Sequence, residues 1–251
     1  MKKIMFSAFL AGSFFMVNAT EEVVPSHEGA PVVEQHSAYE GAYFGLGISA
    51  IDDGFRSDYT ANNRAKEGEI NDRRTHLNGA LIAGFGKKIR GQAYVGIEAG
   101  LDFGPKAEYN AYDKASVIQG GNRYYDVNLS RNGLIPSLAF RVGFVDCNTK
   151  ILSYVKFGGA YTKAKYYYQE KLLATGQVFD TTEIKKSSIR PIIALGFEKP
   201  FGKTMTARAE AEWRFGKKTS STDHLGTTEF RTKDGGLTVR VLVSHNIKIG
   251  A

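Results

Sequence analysis

The chain has 251 residues, with 33 Lys+Arg against 26 Asp+Glu, 28 Gly, 6 Pro and one Cys; 42% of its residues are hydrophobic and 24% charged. This excludes a disordered chain, a collagen and a disulfide scaffold. Glycine above the usual ~7% argues against a mainly helical protein, and the scarcity of Pro argues against a low-complexity linker.

The first residues read as a targeting signal. Lys2 and Lys3 form a basic start, 4–17 is an apolar stretch too short to span a bilayer as a helix, and Val17-Asn18-Ala19 offers small side chains to a signal peptidase. Cleavage is predicted after Ala19, which takes the formal charge from +7 to +5. Residues 20–40, with Glu21, Glu22, Glu28 and Glu34, read as a flexible periplasmic leader. Its His27 and His36 read as solvent-exposed bystanders rather than as a metal site. Export implies an oxidising compartment, but Cys147 is the sole cysteine and cannot form a disulfide within the chain. Beyond Ala19 no run of 18 apolar residues occurs, so the remaining route into a membrane is a closed β-barrel, expected over 41–251.

Eight segments alternate with the period of a strand: 41–51, 77–87, 93–104, 134–145, 151–163, 188–198, 204–216 and 236–247. In the third, Val95, Ile97 and Leu101 share one face and Glu98 and Asp102 the other; in the seventh, Ala209, Trp213 and Phe215 oppose Arg208, Glu210, Glu212 and Arg214. The apolar faces carry no charge. The opposite faces carry Glu98, Asp102, Arg141, Lys156, Arg190, Glu198, Arg208, Glu210, Glu212, Arg214 and Arg240, six cations against five carboxylates separated by small residues. Alternation does not by itself say which face points inward. A soluble sandwich puts its apolar face in, and a membrane barrel puts it out.

Three features choose the membrane. The connections alternate long and short, with 53–76, 105–133, 164–187 and 217–235 long and 88–92, 146–150 and 199–203 short, as in barrels with long external loops and short periplasmic turns. Aromatic residues fall at both ends of the apolar faces: Phe103, Tyr161, Trp213 and Phe215 at the outer rim, and Phe85, Phe144 and Phe197 at the inner rim, as an aromatic girdle requires. The near-balanced charged face suits a narrow lumen in which ions must pair to offset desolvation. The expected fold is an all-β, eight-stranded antiparallel up-and-down transmembrane barrel with four long external loops and three short periplasmic turns. Tyr166, Tyr167 and Tyr168, at the base of the third loop, are expected to form an interfacial belt rather than a sticky external patch.

The chain resembles the small bacterial outer-membrane β-barrels of the opacity-protein and outer-membrane-protein-A transmembrane-domain type. The resemblance is carried by the signal sequence, the opening strand Gly41-Ala42-Tyr43-Phe44-Gly45-Leu46-Gly47 and the closing strand with Asp234-x-Gly236-x-x-Val239-x-Val241. The closing strand is similar to the signal such barrels present to the barrel assembly machinery, although the chain ends in Asn246-Ile247-Lys248-Ile249-Gly250-Ala251 rather than in an aromatic. The resemblance implies location in the outer membrane and loops open to host or surface ligands, and the basic excess suggests contact with outer-membrane lipid and the phosphates of lipopolysaccharide. In the first loop Arg56, Arg64, Lys66, Arg73 and Arg74 are balanced by Asp53, Asp58, Glu67, Glu69 and Asp72, which does not support a dedicated polyanion patch there.

The function expected is non-enzymatic: envelope structure and surface display of loops, with adhesion among their roles. Two other readings stay open. One is a narrow porin-like channel gated by the lumenal ion pairs. The other is an outer-leaflet lipid-modifying enzyme using Ser221, Asp223 and His224 in the fourth loop, which has the residue types of a nucleophile, acid and base but sits on a Ser/Thr-rich loop without rigid support. No phosphate loop, zinc spacing, dinucleotide fingerprint or basic stripe for nucleic acid occurs, so neither cofactor nor nucleic acid is expected.

Overall fold

A computed structural model describes residues 39–61, 68–89, 91–113, 123–172, 174–222 and 228–247. The expected signal segment, 1–19, and nearly all of the expected leader, 20–40, lie outside them. The described residues form strands β1 (Gly41–Ala61), β2 (Gly68–Ile89), β3 (Ala93–Phe103), β4 (Ala107–Asp113), β5 (Arg123–Arg131), β6 (Leu134–Val145), β7 (Leu152–Leu172), β8 (Val178–Phe201), β9 (Met205–Thr222) and β10 (Thr228–Ile247). All pair antiparallel. The sheet runs β4-β5-β7-β6-β3-β2-β1-β10-β9-β8 and is closed by β7 pairing with β8. Eight strands ring the lower half. β3 and β4 are two halves of one strand, as are β5 and β6, and at the breaks the Gly104 N–H donates to the Gly133 carbonyl (2.9 Å).

The ring is inside-out by the standard of a soluble protein. Leu195 is 56% exposed and Val95 and Ile97 also face outward, whereas Arg208 and Glu210 are 2% and 3% exposed and fill the interior. A belt of bare Leu, Ile, Val and Phe around a charged centre needs hydrocarbon outside. β3 supplies 11 residues to the belt, which at ~3.3 Å per residue and a 35–45° tilt spans roughly 25 Å, the height of such a band. The short turns lie at one end, at 91–92, 146–151 and 202–204. In the middle turn, the Thr149 hydroxyl and the Asn148 N–H both donate to Asp146, holding its carboxyl below its usual range.

At the other end the long connections begin as strand. β1, β2, β7, β8, β9 and β10 all run well beyond the belt, so most of each expected loop is ladder. There the ring parts. β2 pairs with β3 only up to Gly79 opposite Phe103, and β8 with β9 only up to Ile192 opposite Arg214. Pro191, which has no N–H for a ladder, is the first residue above that last pair, and β9 carries a bulge at the same height, where its register against β10 shifts between Asp234 and Gly236. Above the partings, β2-β1-β10-β9 and β4-β5-β7-β8 face each other as two sheets.

Except on β9, where the bulge moves the outward phase from Trp213 and Phe215 to Lys218 and Ser220, inward and outward phase are kept across this transition, but polarity reverses. Along β7 the outward residues go from Val155, Phe157 and Tyr161 to Lys163 and Lys165, while the inward ones go from Lys156 and Thr162 to Ala164, Tyr166 and Tyr168. The extension has a water-excluding core of Phe55, Tyr109, Val127, Leu129, Ala164, Tyr166 and Tyr168. Tyr166 and Tyr168 therefore do not form an interfacial belt. They stack at 6.3 Å inside the extension, because even positions on β7 face inward, and Tyr167 alone of the three faces out.

Candidate functional site

The interior is built in layers from the short-turn end. Tyr39, in the leader by sequence, lies in the mouth against Tyr94, Val145, Leu152 and Tyr154, and its hydroxyl donates to the carbonyls of Lys150 (2.5 Å) and Glu198 (2.9 Å). The rings of Tyr94 and Tyr154 lie over neighbouring strands, where a Cβ on Gly86 or Gly196 would come within 2.1 and 2.3 Å of them. Glycine at those two positions is what admits the rings.

Next come two guanidinium groups and two carboxylates. Arg141 donates to Glu198 (2.7 Å), lies 3.5 Å from Glu98 and sits 3.9 Å above the Tyr154 ring. Arg208 bonds Glu98 and lies 3.0 Å from Glu198. The Tyr43 hydroxyl donates to Glu98 (2.8 Å) and the Thr206 hydroxyl to Glu198 (2.6 Å). Above them the Lys156 ammonium lies 3.4 Å from Glu98, 2.5 Å from Glu210 and 3.4 Å from Glu212. Arg240 reaches Asp102 (2.6 Å), Glu210 (2.8 Å) and Glu212 (2.8 Å), and Arg214 stands 3.7 Å from Glu212. An apolar layer of Ile51, Ile135, Ala139, Ala160 and Ile192 follows.

The sequence's six cations against five carboxylates leave one cation over, Arg190, and its partner lies higher up. Arg190 bonds the Asp234 carboxylate, and its Nε donates to Thr162 (2.7 Å). Asp234 also accepts from Arg131 (3.0 Å) and from the Tyr166 hydroxyl (3.2 Å), while Arg131 and Tyr109 both bond Asp53. Burial opposes the charge on Arg131, but Asp53 and Asp234 beside it raise its pKa above the ordinary value. Asp53, Arg131 and Asp234 are the members that sequence reading assigned to loops or to the closing-strand motif. The unmatched Arg190 was the signal that could have found them.

Outside, Phe85, Phe144 and Phe197 face outward toward the short-turn end, and Phe103, Tyr161, Trp213 (48% exposed) and Phe215 do so toward the partings. Ser221 is near the end of β9, and Asp223 and His224, like His27 and His36, lie outside the described residues. Among the described residues, no group of three His, Cys, Asp or Glu could hold a metal ion.

No family model matches the chain, and neither does any curated protein. Solved structures do. The outer membrane protein OprG from Pseudomonas aeruginosa aligns at 12% identity and a TM-score of 0.53, over 82% of this chain and 96% of that one. The fold is that of a small bacterial outer-membrane barrel. The outer membrane protease OmpT from Escherichia coli aligns at 9% identity and a TM-score of 0.49, over 83% of this chain and 97% of that one. The outer membrane protein AlkL aligns at 12% identity and 0.44, over 92% and 99%. At these identities the likeness concerns the fold alone. As an outer-membrane barrel, the chain has its short turns in the periplasm, its apolar belt in lipid and its two-sheet extension on the outside.

Proposed function

We propose that this is a non-enzymatic outer-membrane protein: a sealed barrel that anchors a rigid two-sheet extension and displays the connections beyond it, contributing to envelope structure and to contacts of the cell surface, adhesion included. The observation that carries this reading is the presence of buried side chains at every level of the interior. Tyr39, the Arg141–Arg208 layer, the Lys156–Arg240 layer, the Ile51 layer, the Asp53–Arg131–Asp234–Arg190 knot and the Phe55 core follow one another without a gap in the sequence of layers. Charges in this lumen neutralise one another across strands, which suits a plug better than a path for ions. The outer belt supplies the contact with lipid and lipopolysaccharide, and β10 is the strand offered to the assembly machinery.

Planar-bilayer recording tests it. The folded protein should carry no steady conductance, and Arg141→Ala should be silent too, since the layers above and below Arg141 remain. A steady, ion-selective conductance that Arg141→Ala enlarges would replace this reading with the gated channel. The enzyme reading makes a separate prediction, a change in lipid A in cells expressing the protein that His224→Ala abolishes. The sealed-barrel reading expects no such change.

A further inference from the structure

The two partings of the extension differ in charge. Between β2 and β4, Arg74 is paired with Asp72 at 3.0 Å. Between β8 and β9 lies a cavity of about 220 Å³ whose lining includes Tyr166, Lys186, Ser188, Arg190, Lys218 and Ser220, and no carboxylate. The Lys186 ammonium reaches across the parting to the Ser220 carbonyl (3.2 Å), which occupies one of its three N–H groups. Arg190 forms the inner wall. Its bonds to Thr162 and to the Asp234 carboxylate and carbonyl take three of its five N–H groups. On the outer face, Glu183 is held by Lys185 at 3.1 Å, and Glu229, which lines a neighbouring pocket with Lys218 and Ser220, is held by Arg231 at 2.9 Å. Asp234 stands behind Arg190 and is shared with Arg131.

Height matters as much as charge. The cavity begins just above the last β8–β9 pair, Ile192 with Arg214, and the outward residues at its foot are Ile189 and Trp213, both bare. It therefore sits at the upper edge of the apolar belt, level with the headgroups of the outer leaflet. We propose that this parting is a phosphate-monoester site filled from the side by the phosphorylated headgroup of an outer-leaflet glycolipid, lipid A. Lys186 and Lys218 supply charge, Ser188 supplies a hydroxyl, and the remaining N–H groups of Arg190 close the inner side; hydrogen bonds between such cations and phosphate oxygens are the stronger kind. The inference rests on the placement of the belt in the outer membrane and not on whether the lumen conducts.

Native mass spectrometry of the folded full chain in detergent tests it, with bis-phosphorylated lipid A, dephosphorylated lipid A and inorganic phosphate as probes. One bis-phosphorylated lipid A per barrel should be retained. Lys186→Gln with Lys218→Gln should weaken retention at least about tenfold, and Lys186→Arg with Lys218→Arg should restore it. A matched control, Lys106→Gln with Lys163→Gln on the outer face, should change it less than about twofold. Equal losses in both Gln pairs, or equal retention of the dephosphorylated lipid, would overturn the site. Inorganic phosphate that binds at the parting and is not displaced by lipid A would keep the phosphate chemistry and overturn the lipid as its source. Folding of each variant is checked by its gel mobility before and after boiling.

Discussion

Arg190 on β8 and Asp234 on β10 meet inside the barrel at the height where β8 leaves β9, although 44 positions separate them in the chain. The pair fastens the closing strand to the strand that starts the parting. Asp234 serves Arg131 as well, so Asp234→Asn leaves two buried guanidinium groups with Asp53 as the one carboxylate of the knot. Removing one partner of a buried pair typically costs ~3–5 kcal/mol. A urea midpoint followed by Trp213 fluorescence should fall accordingly, and Arg190→Leu added to Asp234→Leu should recover part of the loss because both charges are then gone. An unchanged midpoint in Asp234→Asn would mean that the knot does not form.

How much of this was legible from residues alone follows from the polarity reversal. Inside the belt, apolar-out and charged-in alternation exposes every strand, and the eight segments read from it coincide with the lower parts of β1, β2, β3 and β6 through β10. Above the belt the same phase continues on β1 and β7 with the polarities exchanged, as at Lys163 against Ala164 or Arg56 against Phe55. A test that demands one polarity per face stops there and hands the rest to loops. The knot was lost for the same reason: Asp53, Arg131 and Asp234 are inward ions in stretches where inward residues had become apolar. Tyr39 was hidden by its place in a polar leader, since nothing local marks a residue whose partners are the carbonyls of Lys150 and Glu198.

Glu98 is shared by three cations in the lower lumen, facing Arg141, Lys156 and Arg208 and accepting from Tyr43. Glu98→Gln keeps the shape and removes the charge, so three cations remain around a neutral amide. A loss of ~3–5 kcal/mol is expected, seen as a lower urea midpoint and a lower temperature for the boiling-dependent gel shift. Glu183→Gln on the exposed face is the comparison, expected to cost under ~1 kcal/mol.

The extension should fail separately from the barrel. Phe55 packs edge-on to Tyr109 at 6.2 Å in the core between the two sheets. Phe55→Ala should cost ~3–5 kcal/mol there. Hydrogen exchange should then quicken in β4, β5 and the outer halves of β1 and β7, while amides in β3 and the lower half of β6 keep their protection and the boiling-dependent gel shift survives. Loss of protection throughout would mean that barrel and extension unfold as one unit.

The belt and the extension make opposite demands on the same outward phase, and a charge placed in each separates them. Leu195 faces out near the middle of the stretch of β8 that pairs with β9 in the belt, so Leu195→Arg puts a guanidinium in hydrocarbon at a cost of ~2–4 kcal/mol near the midplane. Ser187, eight positions earlier on that strand and also outward, lies above the belt, so Ser187→Arg should cost within ~0.5 kcal/mol. Refolding into vesicles of phosphatidylcholine, with stability read from a urea titration, compares the two directly. Equal costs would mean that the lipid boundary does not fall between these positions, and the height assigned to the β8–β9 parting would have to move with it.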